Sequence, residues 1–389
     1  MLELPDRVLS TKEAHKDALH NDYQFFGADD QFPIQTIHKH LARNIVGLIP
    51  GVQEEVHGAI DATFGNDTEN WKSLNLWEAW LGIVPRVTNR IIVGAPLCRN
   101  QEFLDSQVAF ADDVVRNSFI LDMFPRLFRP LVAPLVVLSN RWHWRKSYLL
   151  AKPVIEQRLS DMTRKASGTD PAYQDYQPPE DMITWLIRKA QADNLPSELD
   201  PEMLSKRLLP VEFAAIHTTV LTGFNLLLDL LASDPALDYI ATIREETSRV
   251  LAQEQNDGIW TKQALARLHR TDSAIKESMR FSHFSRALTQ RKVVAPQGVT
   301  NPAEGWHAPY GALLMLDLAG THRDEALYAD PGRYDAWRFS REKDEYEAKG
   351  GVDGEEKGGG AEEAMRIKRL GMVTTSPEYL PFSHGRHAW

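Results

Sequence analysis

Cysteine is almost absent: Cys98 is the only one in 389 residues. A lone thiol excludes a disulfide framework and any Cys-rich zinc or iron–sulfur site, which need cysteines in sets. It fits a reducing compartment such as the cytosol or the cytosolic face of a membrane. Cations are in the minority, with 44 Lys and Arg against 54 Asp and Glu and a net charge of -10. That balance argues against nucleic acid, whose phosphates reward clustered Lys and Arg. Long apolar runs are scarce as well. The opening "MLELPDRVLSTKEAHKD" carries charge throughout, so it reads as neither a signal peptide nor a membrane anchor. The most apolar local stretch, "FPRLFRPLVAPLVVL" (residues 124–138), is too short and too interrupted by Pro and Arg to span a bilayer. It reads as a buried helix or loop, with a place in a membrane interface as the alternative. No transmembrane segment and no internal repeat are expected.

What is present is a globular composition, 43% hydrophobic, with enough apolar side chains for a sizeable core. Helical spacing of apolar residues dominates up to about Arg280. It runs from Ile34 to Val56 with an interruption at Pro50, and places Trp77 and Trp80 three apart. The run "MLSKRLLPVEFAAIHTTVLTGFNLLLDLLASDP" is apolar all round, which predicts a buried helix kinked at Pro210. "ALDYIATIREETSRVLAQE" reads as a surface helix with Glu and Arg on its wet face. After Arg280, short apolar runs alternate with Pro and Gly turn signals, which predicts a small β-sheet. Residues 340–368 are charged and Gly-rich without apolar periodicity, the texture of a flexible surface insertion. No linker divides the chain. The expectation is one mainly α domain over residues 1–389 with small β-sheets.

Three constellations stand out, each with a bland reading. Glu277 and Arg280 are three apart on a helix, and such a pair is most often ordinary surface chemistry. Arg338, in a Pro-rich aromatic segment, could complete a paired and buried ionic cluster with them. His217, Thr218 and Thr219 interrupt the apolar helix, where the hydroxyls could simply bond back to the preceding turn. Alternatively, small Ala214 and Ala215 make room for a ligand and the hydroxyl handles a proton. The closing "PFSHGRHAW" offers a turn at Gly385, with Arg386 and His387 as donors for an anionic group.

In this order and spacing, "FAAIHTT", "KESMR", "DPGRYDAWRF" and "PFSHGRH" resemble the cytochrome P450 superfamily. "VPRVTNRIIVGAPLCRN" and "GTHRDEALYADPGRYDAWRF" resemble its membrane-bound fungal members of secondary, terpenoid-like metabolism. The resemblance covers nearly the whole chain, the charged insertion excepted. It implies a haem b cofactor held between the central helix and the terminal loop. It also implies insertion of one oxygen atom from O2 into a C–H bond of a small lipophilic substrate. Electrons would come from NADPH through the cytochrome P450 reductase, at the cytosolic face of the endoplasmic reticulum membrane. Residues 124–138 would then suit a membrane-facing surface. Thr218 matches the proton-delivering threonine, with His217 where many members carry an acid and Thr219 beside it. Glu277, Arg280 and Arg338 match the structural triad, and Phe382, Gly385, Arg386 and His387 match the haem loop. His40 or Arg43, and Arg286 or Arg291, are the candidate partners of the haem propionates.

The family's loop ends in an axial cysteine whose thiolate pushes electron density onto the iron. That position is Trp389 here, and an indole N–H donates without a lone pair for a metal. No metal ligand is therefore assigned. The resemblance further predicts a chain lacking the family's N-terminal anchor and β lobe, and the helix after the haem loop. An intron retained after the TG of a cysteine codon would read TGG, tryptophan, followed by a stop. The alternative expectation is thus a catalytically inactive fragment of a P450.

Overall fold

The helical periodicity of the first two thirds of the chain is realised as long helices, and the turn-rich part as short strands. The structure, a computed structural model, describes residues 4–26, 31–254, 258–286, 289–348, 366–367 and 369–385. In chain order it contains β1 (Leu9–Ser10), α1 (Thr11–Leu19), α2 (Asn21–Gln24), α3 (Gln31–Phe64), α4 (Leu76–Ile92), α5 (Gln101–Asp122) and α6 (Arg129–Val136). There follow α7 (Leu138–Ser167), α8 (Met182–Ala192), α9 (Pro201–Ala232), α10 (Tyr239–Gln253), α11 (Lys262–Ala266) and α12 (His269–Phe281). Next come β2 (Gln290–Val293), β3 (Val299–Asn301), β4 (Trp306–Ala308), β5 (Leu313–Met315), α13 (Leu318–His322) and α14 (Arg341–Ala348). Two antiparallel sheets form, β1-β2-β5 and β3-β4, so the fold is mainly helical with small sheets as the patterning predicts. The chain divides into two compact units, Lys16–Val220 and Met1–His15 with Leu221–Trp389, and the division falls inside α9.

The unit Lys16–Val220 is built on a core that includes Phe103, Ile155, Trp185, Leu186 and Leu204. Helix α8 starts at Asp181, whose carboxylate accepts from Thr184 N at 2.9 Å and from Arg158 of α7 at 2.8 Å. One buried charge pair thus caps one helix and ties it to another. Glu55 of α3 is buried and accepts from Arg86 Nε and Arg99 Nε, each at 2.8 Å. The interruption expected at Pro50 does not occur, and α3 runs through it. Pro50 is exposed, so the carbonyl it leaves unpaired is open to solvent. Pro210 likewise lies within an unbroken α9.

Two burial expectations fail. Residues 124–138 are not buried: Leu127 is 81% exposed, Leu131 72% and Leu135 71%, with Ala133 and Val137 turned inward. A two-turn helix has one face to bury, and α6 spends it on small side chains. Nor is α9 buried all round. Its buried residues end at Val220, and Leu228 and Leu231 are exposed. Among the described residues, α9 is the helix long and apolar enough to cross a membrane, a test that the core helix of a soluble protein also passes.

In the second unit, α12 packs on α10 through Tyr239, Ala274, Tyr334 and Ala336. Glu246 departs from the wet face expected of α10. It is buried and accepts from Arg270 N at 2.8 Å and Thr271 N at 2.9 Å, closing the N-terminus of α12. The segment 340–368 begins as structure: Ser340 is buried, 341–348 is helical, and Lys343 pairs with Asp272 at 3.5 Å. Residues 349–365 and 368 lie outside the described residues.

Candidate functional site

Helical spacing puts Glu277 and Arg280 on one face of α12, and the chain then brings Arg338 to the same carboxylate. Arg280 donates to Glu277 through Nη2 at 2.7 Å and Nε at 2.8 Å. Arg338 Nε lies 3.0 Å from both Glu277 oxygens, and Asp335 N adds a bond at 3.1 Å. Glu277 and Arg280 are fully buried, so the surface reading fails. The remaining donors are used on backbone: Arg280 Nη1 reaches His322 O at 2.6 Å and Pro331 O at 3.0 Å, and Arg338 Nη1 reaches Ala329 O at 2.6 Å. Buried charge persists here because every partner is supplied. The cluster pins residues 322–338 to α12.

The loop 380–385 follows from that frame. Leu380 N donates to His322 Nε2 at 3.0 Å, and Phe382 packs on Phe284 with ring centroids 5.4 Å apart. His384 Nδ1 meets Thr375 Oγ1 at 2.9 Å. Gly385 turns at φ 78°, which glycine tolerates, but Ser383 also sits at φ 72°, a strained choice for a residue with a side chain. Arg386, His387 and Trp389 lie outside the described residues. On β2, Arg291 is 3% exposed; Nη1 reaches Gln290 O at 2.8 Å, while Nη2 has no partner among the described residues. Burial lowers its pKa, with Asp6 opposing. Arg286 is exposed. Of the two arginines, only Arg291 is a buried cation with a donor to spare.

In the unit Lys16–Val220, α9 carries the polar trio. Thr218 Oγ1 donates back to Ala214 O at 2.6 Å, as the bland reading expects, and Thr219 is exposed. His217 Nε2 meets Asp112 Oδ1 of α5 at 2.9 Å, and its Nδ1 is buried without a partner among the described residues. Asp112 escaped sequence reasoning because nothing in its local pattern points 105 residues ahead. Glu212 escaped too. It is fully buried on α9 with one donor, Asn89 Nδ2 at 3.0 Å, and burial pushes its pKa up to about 8 against that bond. His40 stacks on Trp185 at 6.0 Å, with its pKa lowered by burial and then by Lys39, while Arg43 is exposed. Cys98 is buried, and burial followed by Glu55 raises its thiol to about 11, so no thiolate forms there near neutral pH.

The family model for cytochrome P450 matches residues 6–388. The cytochrome P450 monooxygenase gloP of Glarea lozoyensis is 33% identical over all of this chain and 70% of its own length. The cytochrome P450 monooxygenase htyF of Aspergillus rugulosus is 33% identical over all of this chain and 55% of its own. The cytochrome P450 monooxygenase pbrC of Penicillium brasilianum is 29% identical over 92% of this chain and 63% of its own. The chain therefore spans between 55% and 70% of the length of these fungal relatives. A match of this extent, over a chain whose buried Glu277, Arg280 and Arg338 form one ionic cluster, places it in a family: the chain belongs to the cytochrome P450 family.

Proposed function

We propose that this chain is the scaffold of a haem-dependent monooxygenase acting on a small lipophilic substrate, and that the polypeptide itself does not hold haem as a thiolate complex. The family implies haem, a redox partner reductase and a lipophilic substrate. The described residues fit the rim of such a group in part. The unspent Nη2 of buried Arg291 is the kind of donor that a porphyrin carboxylate satisfies. The axial position does not fit: Trp389 offers no lone pair, and Cys98 is buried with its pKa raised to about 11.

The observation carrying the reading is the fully satisfied Glu277–Arg280–Arg338 cluster, which fixes the frame from which the 380–385 loop departs. When bound, haem b would supply the insertion of one oxygen atom of O2 into a C–H bond, the other leaving as water. NADPH would supply electrons through cytochrome P450 reductase at the endoplasmic reticulum. Thr218, His217 and Thr219 are assigned to proton handling. Phe382, Gly385, Arg386, His387 and Arg291 are assigned to the haem rim, with His40, Arg43 and Arg286 as further candidates. The exposed Leu127, Leu131 and Leu135 support a membrane-facing role for residues 124–138. The deciding measurement is the ferrous–CO spectrum of the purified chain supplied with haem. An imidazole-type Soret band or none is expected, whereas a thiolate-type band would refute our account of Trp389.

A further inference from the structure

We infer that His322 is a positioning residue, carrying the placement of the Glu277–Arg280–Arg338 cluster across to the backbone of the 380–385 loop. Two bonds on one residue do this. Its carbonyl accepts from Arg280 Nη1 at 2.6 Å, and its ring Nε2 accepts from Leu380 N at 3.0 Å. Among the described residues the cluster makes no hydrogen bond of its own to residues 380–385, and His322 is a direct step between them. Tyr328, packed on Arg280 and donating to Glu378 O at 2.8 Å, reaches only the residues before the loop. The functional weight of the loop rests on the oxygenase reading; the hydrogen bond does not.

The chemistry of the ring separates this role from core filling. To accept at Nε2, a neutral imidazole must carry its proton on Nδ1. That Nδ1 is buried and has no partner among the described residues. A filler would avoid an orphan N–H, which costs free energy, and Leu or Phe would serve. Leu380 is itself buried, so its amide would be the orphan if the acceptor were lost. The ring is also held in place. It stacks on Tyr379 at 5.7 Å and meets His283 edge-on at 6.2 Å. Burial, then His283 and Arg280, lowers its pKa to about 4, so the acceptor lone pair is free at neutral pH.

Amide hydrogen exchange on the full chain tests the inference. His322→Phe keeps a ring and removes the acceptor, while His322→Gln restores an acceptor oxygen at similar reach. In His322→Phe, exchange at the Leu380 amide is expected to quicken about tenfold, with α12 amides unchanged, and in His322→Gln to stay within about threefold of the parent. Unchanged protection at Leu380 in His322→Phe overturns the inference, as does equal loss throughout the unit in both variants. A measurement on the unaltered protein guards against misfolded variants. Selective 15N-histidine NMR should find His322 with its proton on Nδ1, and a proton on Nε2 refutes the bond outright. Should these results hold while the chain supplied with haem gives a thiolate-type Soret band, the positioning role stands and our account of Trp389 falls.

Discussion

Glu212 is the residue whose environment most clearly governs a measurable property. A carboxyl fully buried with one amide donor holds its proton up to about pH 8, where the unfolded chain has lost it above about 4.5. Between those values the native state binds more protons than the unfolded state, so stability falls as pH rises. The full span is worth on the order of 5 kcal/mol. Glu212→Gln cannot titrate and keeps an acceptor for Asn89. Urea unfolding at pH 5.5 and pH 8 should therefore show a flatter decline than the parent, with the variant the more stable at pH 8. At this scale the sequence was legible where types were unusual for their place: His217 and Thr218 in an apolar run, Glu277 three before Arg280. It was silent on Asp112, Asn89 and His322, because partnership across tens of residues leaves no local trace.

At the scale of elements, α12 shows how a helix is anchored. Its first amides have no intrahelical acceptor, and Glu246 of α10 takes two of them together with Thr271 Oγ1 at 2.8 Å. Glu246→Ala should destabilise the chain by about 1–3 kcal/mol, read as a lower urea midpoint, with Glu246→Gln recovering part of it. Periodicity assigned α10 and α12 correctly yet put Glu246 in water, since one helix seen alone cannot show which neighbour lacks acceptors. The same limit explains α3. Pro50 was read as an interruption, but its exposure lets solvent replace the missing bond.

For the molecule as a whole, charge and exposed apolar surface pull in different directions. A net charge of -10 opposes adsorption to anionic lipid, so any membrane binding must come from apolar contact. Leu127, Leu131, Leu135 and Trp142, the last 69% exposed, supply that surface within one unit. The full chain should float with neutral phosphatidylcholine vesicles, and the pair Leu131→Glu with Leu135→Glu should release it by about tenfold or more. Equal flotation of parent and variant would remove the membrane-facing assignment.

Family membership and helical texture were determined by the sequence alone, because side-chain type and spacing along the chain carry them. Whether Glu277 was a surface charge or the centre of a buried cluster could be decided only by tertiary structure. So could the exposure of residues 124–138 and the bond between His322 and Leu380. The physical reason is common to all three: burial and hydrogen-bond satisfaction are properties of neighbours distant in the chain, and they exist only once the chain has folded.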